Sequence, residues 1–353
     1  MRIFSGPGGS VPNDAYSRFK ASWRRGEAVV FSGGMDGIHS GWTPEYFIRE
    51  HGDEESFVVD CVSKSAVKMA VGTFFNYWIK PVPRKAILKL PDWPSHTNFD
   101  RHFPNHYADF QRKVPFSDYS GFTGSRNLAA RLQQRFLPPD LGPKMYNAFG
   151  SSDAGEGGYG TTPIHLDMAD AVNVMMYAKD PPTAEKHATH EDVGPTNRPA
   201  AVWDIYHRDD LPKLRAFMRR EFDLGENSDD PVHDQFHYLN ELHRARLYEQ
   251  YGVRGWRIYQ YPGDAVFVPA GCAHQVCNYK DCIKAACDFV SPENLTACVQ
   301  LTSEFRLLSK SHRRRQDLLA LRTILWNVWE TCPLFEPDGL GMVAAVTANS
   351  MLE

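Results

Sequence analysis

The chain has 353 residues, 42% hydrophobic and 23% charged, the balance of an ordinary globular protein. Its 39 lysines and arginines against 43 aspartates and glutamates leave a net charge of −4, which excludes a global basic field drawing the chain to nucleic acid. No apolar run reaches the roughly 18 residues that span a bilayer, the N-terminus lacks a signal-peptide apolar region, and seven cysteines argue against a disulfide framework, so the expectation is an intracellular, membrane-free protein.

In chain order, residues 1–25 are polar with glycine and proline, then basic, and lead into a strand over 27–33. A helix over 44–52, a strand over 57–62 and a helix over 73–80 make an α/β lead-in. A strand over 85–94 ends in a proline turn, and residues 126–136 have helical periodicity that stops at Pro138-Pro139. Residues 144–150, KMYNAFG, read as a further strand.

The stretch 157–179 carries the first chemical signal. Gly157, Gly158 and Gly160 break the chain before His165-Leu166-Asp167, and AVNVMMYA follows, apolar and β-branched as a strand requires. Residues i and i+2 of a strand share a face, so His165 and Asp167 can reach one point in space. An imidazole and a carboxylate converging this way are two thirds of the facial triad that holds non-haem Fe(II).

Residues 180–199 are polar, proline-rich and without period, a loop in which His187 and His190 are solvated. A helix over 209–222 has Asp209 or Asp210 at its N-cap, and another runs from about 237 to 250. His233-Asp-Gln-Phe-His237 approaches the H-E-x-x-H of zinc peptidases, but aspartate is too short and Pro231 marks a helix start, so no metallopeptidase is expected.

Further on, Tyr261-Pro262-Gly263-Asp264 is a turn, AVFVP a short strand, Ala270-Gly271 a break, and His274 opens the next strand. Strand, turn, strand, histidine is how a jelly roll returns to its mouth, and this makes His274 the candidate third ligand. Cys272, Cys277, Cys282 and Cys287 recur every five residues, which alternates strand faces and gives no zinc knuckle; they read as thiols. Ser291-Pro292-Glu293 starts a C-terminal helix, and an amphipathic helix over 316–329 follows the basic run at 312–315, a candidate import signal.

Together, KMYNAFG (144–150), YGTTPIHLDMADAVNVM (159–175), AVWDIY (201–206), GDAVFVPAGCAHQVCN (263–278) and CIKAACDFVSPE (282–293) resemble the Jumonji C (JmjC) oxygenases. Within them the resemblance is to the subfamily that demethylates lysine nine of histone H3. LPDWP (90–94), RNLAARL (126–132), DLGPKMY (140–146) and YGVRGW (251–256) extend it over most of the chain. It implies a mainly β fold: a double-stranded β-helix, or cupin-like jelly roll, with an α/β N-terminal lead-in and C-terminal helices. The expected organisation is a bracing N-terminal segment over 1–105, the catalytic domain over 106–300 with a loop insert at 180–199, and a helical segment over 301–353. The N-terminal elements brace the roll and carry no chemistry.

The resemblance further implies Fe(II) held by His165, Asp167 and His274, with 2-oxoglutarate and dioxygen as co-substrates. Thr162 stands where relatives place a hydroxyl for 2-oxoglutarate. Lys284 is the expected cation for its far carboxylate, because an unpaired lysine in so apolar a strand would be costly. Lys179 is the competitor, and Asn173 and Asn147 are weaker candidates for the same pocket. The implied reaction is demethylation of mono- or dimethyl-lysine in a histone tail peptide, releasing formaldehyde and succinate in the nucleus. The alternatives are a hydroxylase of a non-histone protein and a weakly catalytic chromatin-binding regulator. A homodimer through the C-terminal helices is a further expectation. Two departures stand out: Cys287 replaces an acidic residue, putting hydrogen bonding near the iron strand in doubt, and the 180–199 loop differs, putting the accepted peptide in doubt. The zinc-finger segment that relatives carry ahead of the oxygenase domain has no match here.

Overall fold

Alternation along the strands builds two sheets with a hollow between them. In a computed structural model describing residues 1–6, 9–33, 41–133, 135–182, 198–225, 228–312 and 314–331, thirteen strands are formed. They are β1 (Arg2–Phe4), β2 (Val29–Ser32), β3 (Glu55–Asp60), β4 (Ala66–Ala70), β5 (Leu88–Trp93), β6 (Lys144–Ala148) and β7 (Thr162–His165). After these come β8 (Asp170–Lys179), β9 (Ala201–Ile205), β10 (Trp256–Gln260), β11 (Ala265–Val268), β12 (His274–Asn278) and β13 (Asp281–Phe289). The larger sheet has the order β1-β2-β11-β8-β13-β6-β5-β3-β4 and the smaller β10-β9-β12-β7. The fold is thus mainly β with flanking helices, consistent with a cupin-like jelly roll.

On β11, Ala265 and Phe267 join an outer core while Val266 and Val268 face inward to the smaller sheet. On β13, Ile283, Ala285, Cys287 and Phe289 enter the same outer core, and Lys284, Ala286 and Asp288 line the hollow. The outer core is largely aromatic: Phe19, Trp23, Phe31, Phe116, Phe267 and Phe289 pack under one half of the sheet, and Phe47, Phe75, Trp93 and Phe103 under the other. Trp23 stacks on Phe289 at 5.8 Å and donates its indole N–H to Ser291 Oγ at 3.0 Å. Truncating such a ring to alanine costs about 3–5 kcal/mol. A second core, mostly aliphatic, packs helices Leu211–Glu221, Glu241–Tyr251, Leu295–Leu307 and Leu321–Thr331 over the end of the roll.

Several elements differ from the sequence reading. The first 25 residues hold β1 and a helix, Ala15–Arg24, whose Ala15, Phe19, Ser22 and Trp23 form a buried stripe at helical spacing. Among the described residues of 126–136 the helical element is a 3₁₀ turn, Leu128–Arg131, because tertiary partners take the backbone: Leu128 N–H donates to the Val290 carbonyl at 2.8 Å and Val290 N–H to Asn127 Oδ1 at 3.1 Å. The helices of this region lie earlier, at Phe99–His102, Pro104–Lys113 and Ser117–Ser120. Ser291 stands at the N-cap of a 3₁₀ turn, Pro292–Asn294, as read, but makes no side-chain capping bond; its amide and hydroxyl both donate to buried Asp170, which also accepts from Ala270 N–H and Asn294 Nδ2, locking β8 to the C-terminal helices. The strands of the N-terminal segment, β1 to β5, are edges of the same large sheet as β8, β11 and β13. Most of the 180–199 loop, with His187 and His190, lies outside the described residues.

Candidate metal centre and co-substrate cavity

β7 and β12 pair antiparallel with His165 opposite His274, so two histidines far apart in sequence become cross-strand neighbours, their rings 4.1 Å apart. Gly271, at a φ of +82°, makes the turn that feeds β12. Asp167 lies just past the end of β7 rather than on its face. Its two carboxylate oxygens nevertheless stand 3.5 Å from His165 Nε2 and 3.5 Å from His274 Nε2.

The other ring nitrogens are committed. His165 Nδ1 donates to the Pro163 carbonyl at 2.9 Å and His274 Nδ1 to the Cys272 carbonyl at 3.1 Å. This selects the tautomer whose Nε2 lone pair faces Asp167, the arrangement a metal ligand needs. Burial, reinforced by His274, pushes the His165 imidazole down to about 3, so it is neutral. Burial alone would raise the Asp167 carboxyl, but His274, His165, Arg314 and Lys89 outweigh it and hold the group below its ordinary value. Two imidazoles and one carboxylate on one side of a void are a donor set suited to a divalent transition metal with open positions.

That void is a cleft of about 950 Å³ between the sheets. Lys284 is 4% exposed; its Nζ donates to Asn278 Oδ1 at 2.7 Å and sits 5.3 Å from the Trp203 ring centroid. Burial pushes its ammonium down to about 8. Thr162 lines the cavity, and its hydroxyl accepts from Lys89 Nζ at 2.8 Å. Asn173 also lines it, with a buried Oδ1 that has no hydrogen-bond partner. Lys179, at the exposed end of β8, does not line the cavity. Asn147 does not reach it either: on β6 the neighbours Tyr146 and Ala148 line the cleft, so Asn147 faces the outer core, buried with both amide atoms unpartnered.

Three residues that the sequence reading passed over belong here. Lys89 sits on β5 between Leu88 and Leu90, where a period-two pattern alone hints that it faces away from the outer core. Asn278 ends β12 and has no local signature. Arg314, from the basic run, donates to the Leu166 carbonyl at 2.6 Å, between the two ligands of the H-x-D motif, and lines the cleft. The two histidines of the H-D-x-x-H stretch have different partners: His233 Nε2 meets Glu304 at 2.8 Å, whereas His237 stacks on Phe222 at 4.0 Å. Residues 231–235 are a turn instead of a helix start. Cys287 packs in the aromatic layer, its Sγ 3.6 Å from the Ser120 carbonyl, and Cys272, Cys277 and Cys282 are likewise buried thiols.

A jelly roll with a His–Asp–His cluster at the mouth of an inter-sheet cavity defines the cupin class of oxygenase-like proteins. Within it the chain is a JmjC-domain protein: the family described as "JmjC domain, hydroxylase" matches residues 195–289, a span holding His274 and Lys284. The chain is 38% identical over 337 residues to human lysine-specific demethylase 3A, covering 88% of this chain and 26% of that protein. It is 38% identical to lysine-specific demethylase 3 of Drosophila melanogaster, covering 89% and 40%, and 33% identical to lysine-specific demethylase JMJ26 of Arabidopsis thaliana, covering 87% and 41%. It therefore spans between about a quarter and two fifths of these relatives' length.

Proposed function

We propose that the chain is an Fe(II)- and 2-oxoglutarate-dependent lysine demethylase acting on mono- or dimethylated lysine nine of histone H3, and hence in the nucleus. His165, Asp167 and His274 would hold the iron. Bound there, with 2-oxoglutarate and dioxygen as co-substrates, it would supply the oxidising power to hydroxylate an N-methyl group, whose product collapses to formaldehyde and free amine beside succinate and carbon dioxide.

The observation that carries this reading is the polarity of the cavity wall. Lys284, Ala286 and Asp288 share the inward face of β13, so a basic and an acidic side chain stand about 13 Å apart along one strand. At the Lys284 end, Lys284, Lys89 and the Thr162 hydroxyl can pair with the far carboxylate of 2-oxoglutarate, and Asn173 lines the same wall. At the other end, burial and the neighbouring Asp167, Asp92 and Asp140 push the Asp288 carboxyl well above its ordinary value, a crowding of acidic groups that a cationic methyl-lysine side chain would relieve. The chain's own task is positional: its carbonyls orient the imidazoles, its lysines orient the co-substrate, and Trp203, stacked 5.8 Å from His274, keeps water from the ligand's flank. A homodimer through the C-terminal helices remains part of the proposal, supported by Trp326 and Trp329, which lie 5.1 Å apart and exposed on the last described helix.

Mass spectrometry of methylated H3 peptides incubated with enzyme, Fe(II), ascorbate and 2-oxoglutarate tests it. The expected result is stepwise loss of one methylene unit from the lysine-nine peptide. A stable gain of one oxygen would replace the reading with a hydroxylase. Turnover of 2-oxoglutarate to succinate without either change would leave the chemistry and overturn the substrate.

A further inference from the structure

A second His–carboxylate–His cluster lies outside the cavity, in the segment read as carrying no chemistry. His51 ends helix Pro44–His51, Glu54 follows three residues later just before β3, and His102 ends helix Phe99–His102, so one helix–strand turn meets a second, distant helix end. His51 Nδ1 stands 3.4 Å from one Glu54 carboxylate oxygen and His102 Nε2 2.6 Å from the other. The three candidate donor atoms fall within 4.8 Å of one another, the same limit that His165, Asp167 and His274 meet.

Against the effect of burial, the two rings hold the Glu54 carboxyl below its ordinary value, yet they leave part of the cluster unsatisfied. Glu54 Oε2 and His102 Nε2 are both buried and both lack a hydrogen-bond partner, although a carboxylate and two imidazoles face each other. Protonating both rings to make an ion pair would set two like charges with ring centroids 5.2 Å apart. A single cation between the lone pairs satisfies all three groups at once. The wall behind them is apolar: Phe103 lies 4.8 Å and 4.5 Å from the two rings, and Trp93 5.8 Å and 6.3 Å. The side chains are 18%, 32% and 23% exposed, which leaves solvent access on the open side.

We propose that His51, Glu54 and His102 form a second metal site, taking a tetrahedral divalent ion of the zinc type with water as fourth ligand. Metal–nitrogen and metal–oxygen bonds of 2.0–2.2 Å set tetrahedral donors about 3.4 Å apart. The His51 contact has that spacing, and the His102 contact reaches it by opening less than about 1 Å. Zinc is preferred over iron at such a nitrogen–oxygen site by the ordinary order of divalent affinities. The ion would clamp the helix 44–51, β3 and the helix 99–102 against Trp93 of β5, the strand whose Lys89 and Asp92 line the oxygenase cavity.

The test uses the full chain with His165→Ala and Asp167→Ala, which removes the first site. The protein is stripped with chelator, reloaded with zinc, dialysed and analysed for metal, with melting followed in parallel. One zinc equivalent and a raised Tm are expected, with both lost on adding His102→Ala. Glu54→Gln, nearly isosteric, serves where His102→Ala does not fold, and is expected to bring zinc to background in a chain that still melts cooperatively. A tetrahedral Co(II) visible spectrum at one equivalent is expected from the parent. No zinc above background in the parent, or zinc retained after Glu54→Gln, overturns the proposal.

Discussion

The two ends of the cavity meet opposite electrostatic demands with different devices. At the ligand end, His165, Asp167 and His274 are held by backbone: carbonyls of Pro163 and Cys272 fix the rings, and strand pairing fixes the distance. At the cation end, Lys284 and Lys89 are held by side chains, Asn278 and Thr162, that can exchange partners when a carboxylate arrives. The ligand end is thus preorganised for one geometry, and the cation end trades internal hydrogen bonds for co-substrate. The first should tolerate no change and the second graded ones.

The largest effect tests the rigid end. His165→Ala or Asp167→Ala is expected to lower demethylation by at least about 10³-fold, since two remaining ligands cannot hold the metal in a productive geometry. Melting should remain cooperative, and substantial residual turnover would break the contrast. At the adaptable end, Lys284→Met is expected to raise the KM for 2-oxoglutarate about ten- to a hundredfold, the worth of one charge-assisted hydrogen bond. Lys89→Met should raise it less, about tenfold, because Lys89 acts on the co-substrate beside Thr162 and is only half-buried. Equal effects of the two would show a shared cation site in place of a leading one.

The smallest effect is a pH dependence. Lys284 is lowered to about 8 in the free chain, below the ordinary lysine value, and pairing with a carboxylate raises it again. Below pH 8 the lysine is already charged and binding is unaffected. Above it, binding must take up a proton, so affinity for 2-oxoglutarate falls by up to about tenfold per pH unit. Calorimetry on either side of pH 8 reads this directly, and a dependence that persists in Lys284→Met would assign it to another group.

Legibility in the sequence followed how local each cause was. Strands β8, β11 and β13 could be read because their apolar, β-branched runs are written in adjacent residues, and the lysine of β13 stood out by the cost of leaving it unpaired among them. Helix 15–24 was missed because its apolar stripe is diluted by polar neighbours, and the expected helix at 126–136 yielded to hydrogen bonds with Val290. Asn147 was misplaced because strand parity, not polarity, decides which face a residue takes.

By itself the sequence determined the donor types, the H-x-D spacing and the turn that launches His274, since each depends on neighbours a few residues away. Only the tertiary structure decided that His165 stands opposite His274, that Lys89 and Arg314 reach the cavity, and that His102 closes on Glu54. Those pairings join segments with no periodic relation, and packing of the two sheets and their helices is the only force that specifies them.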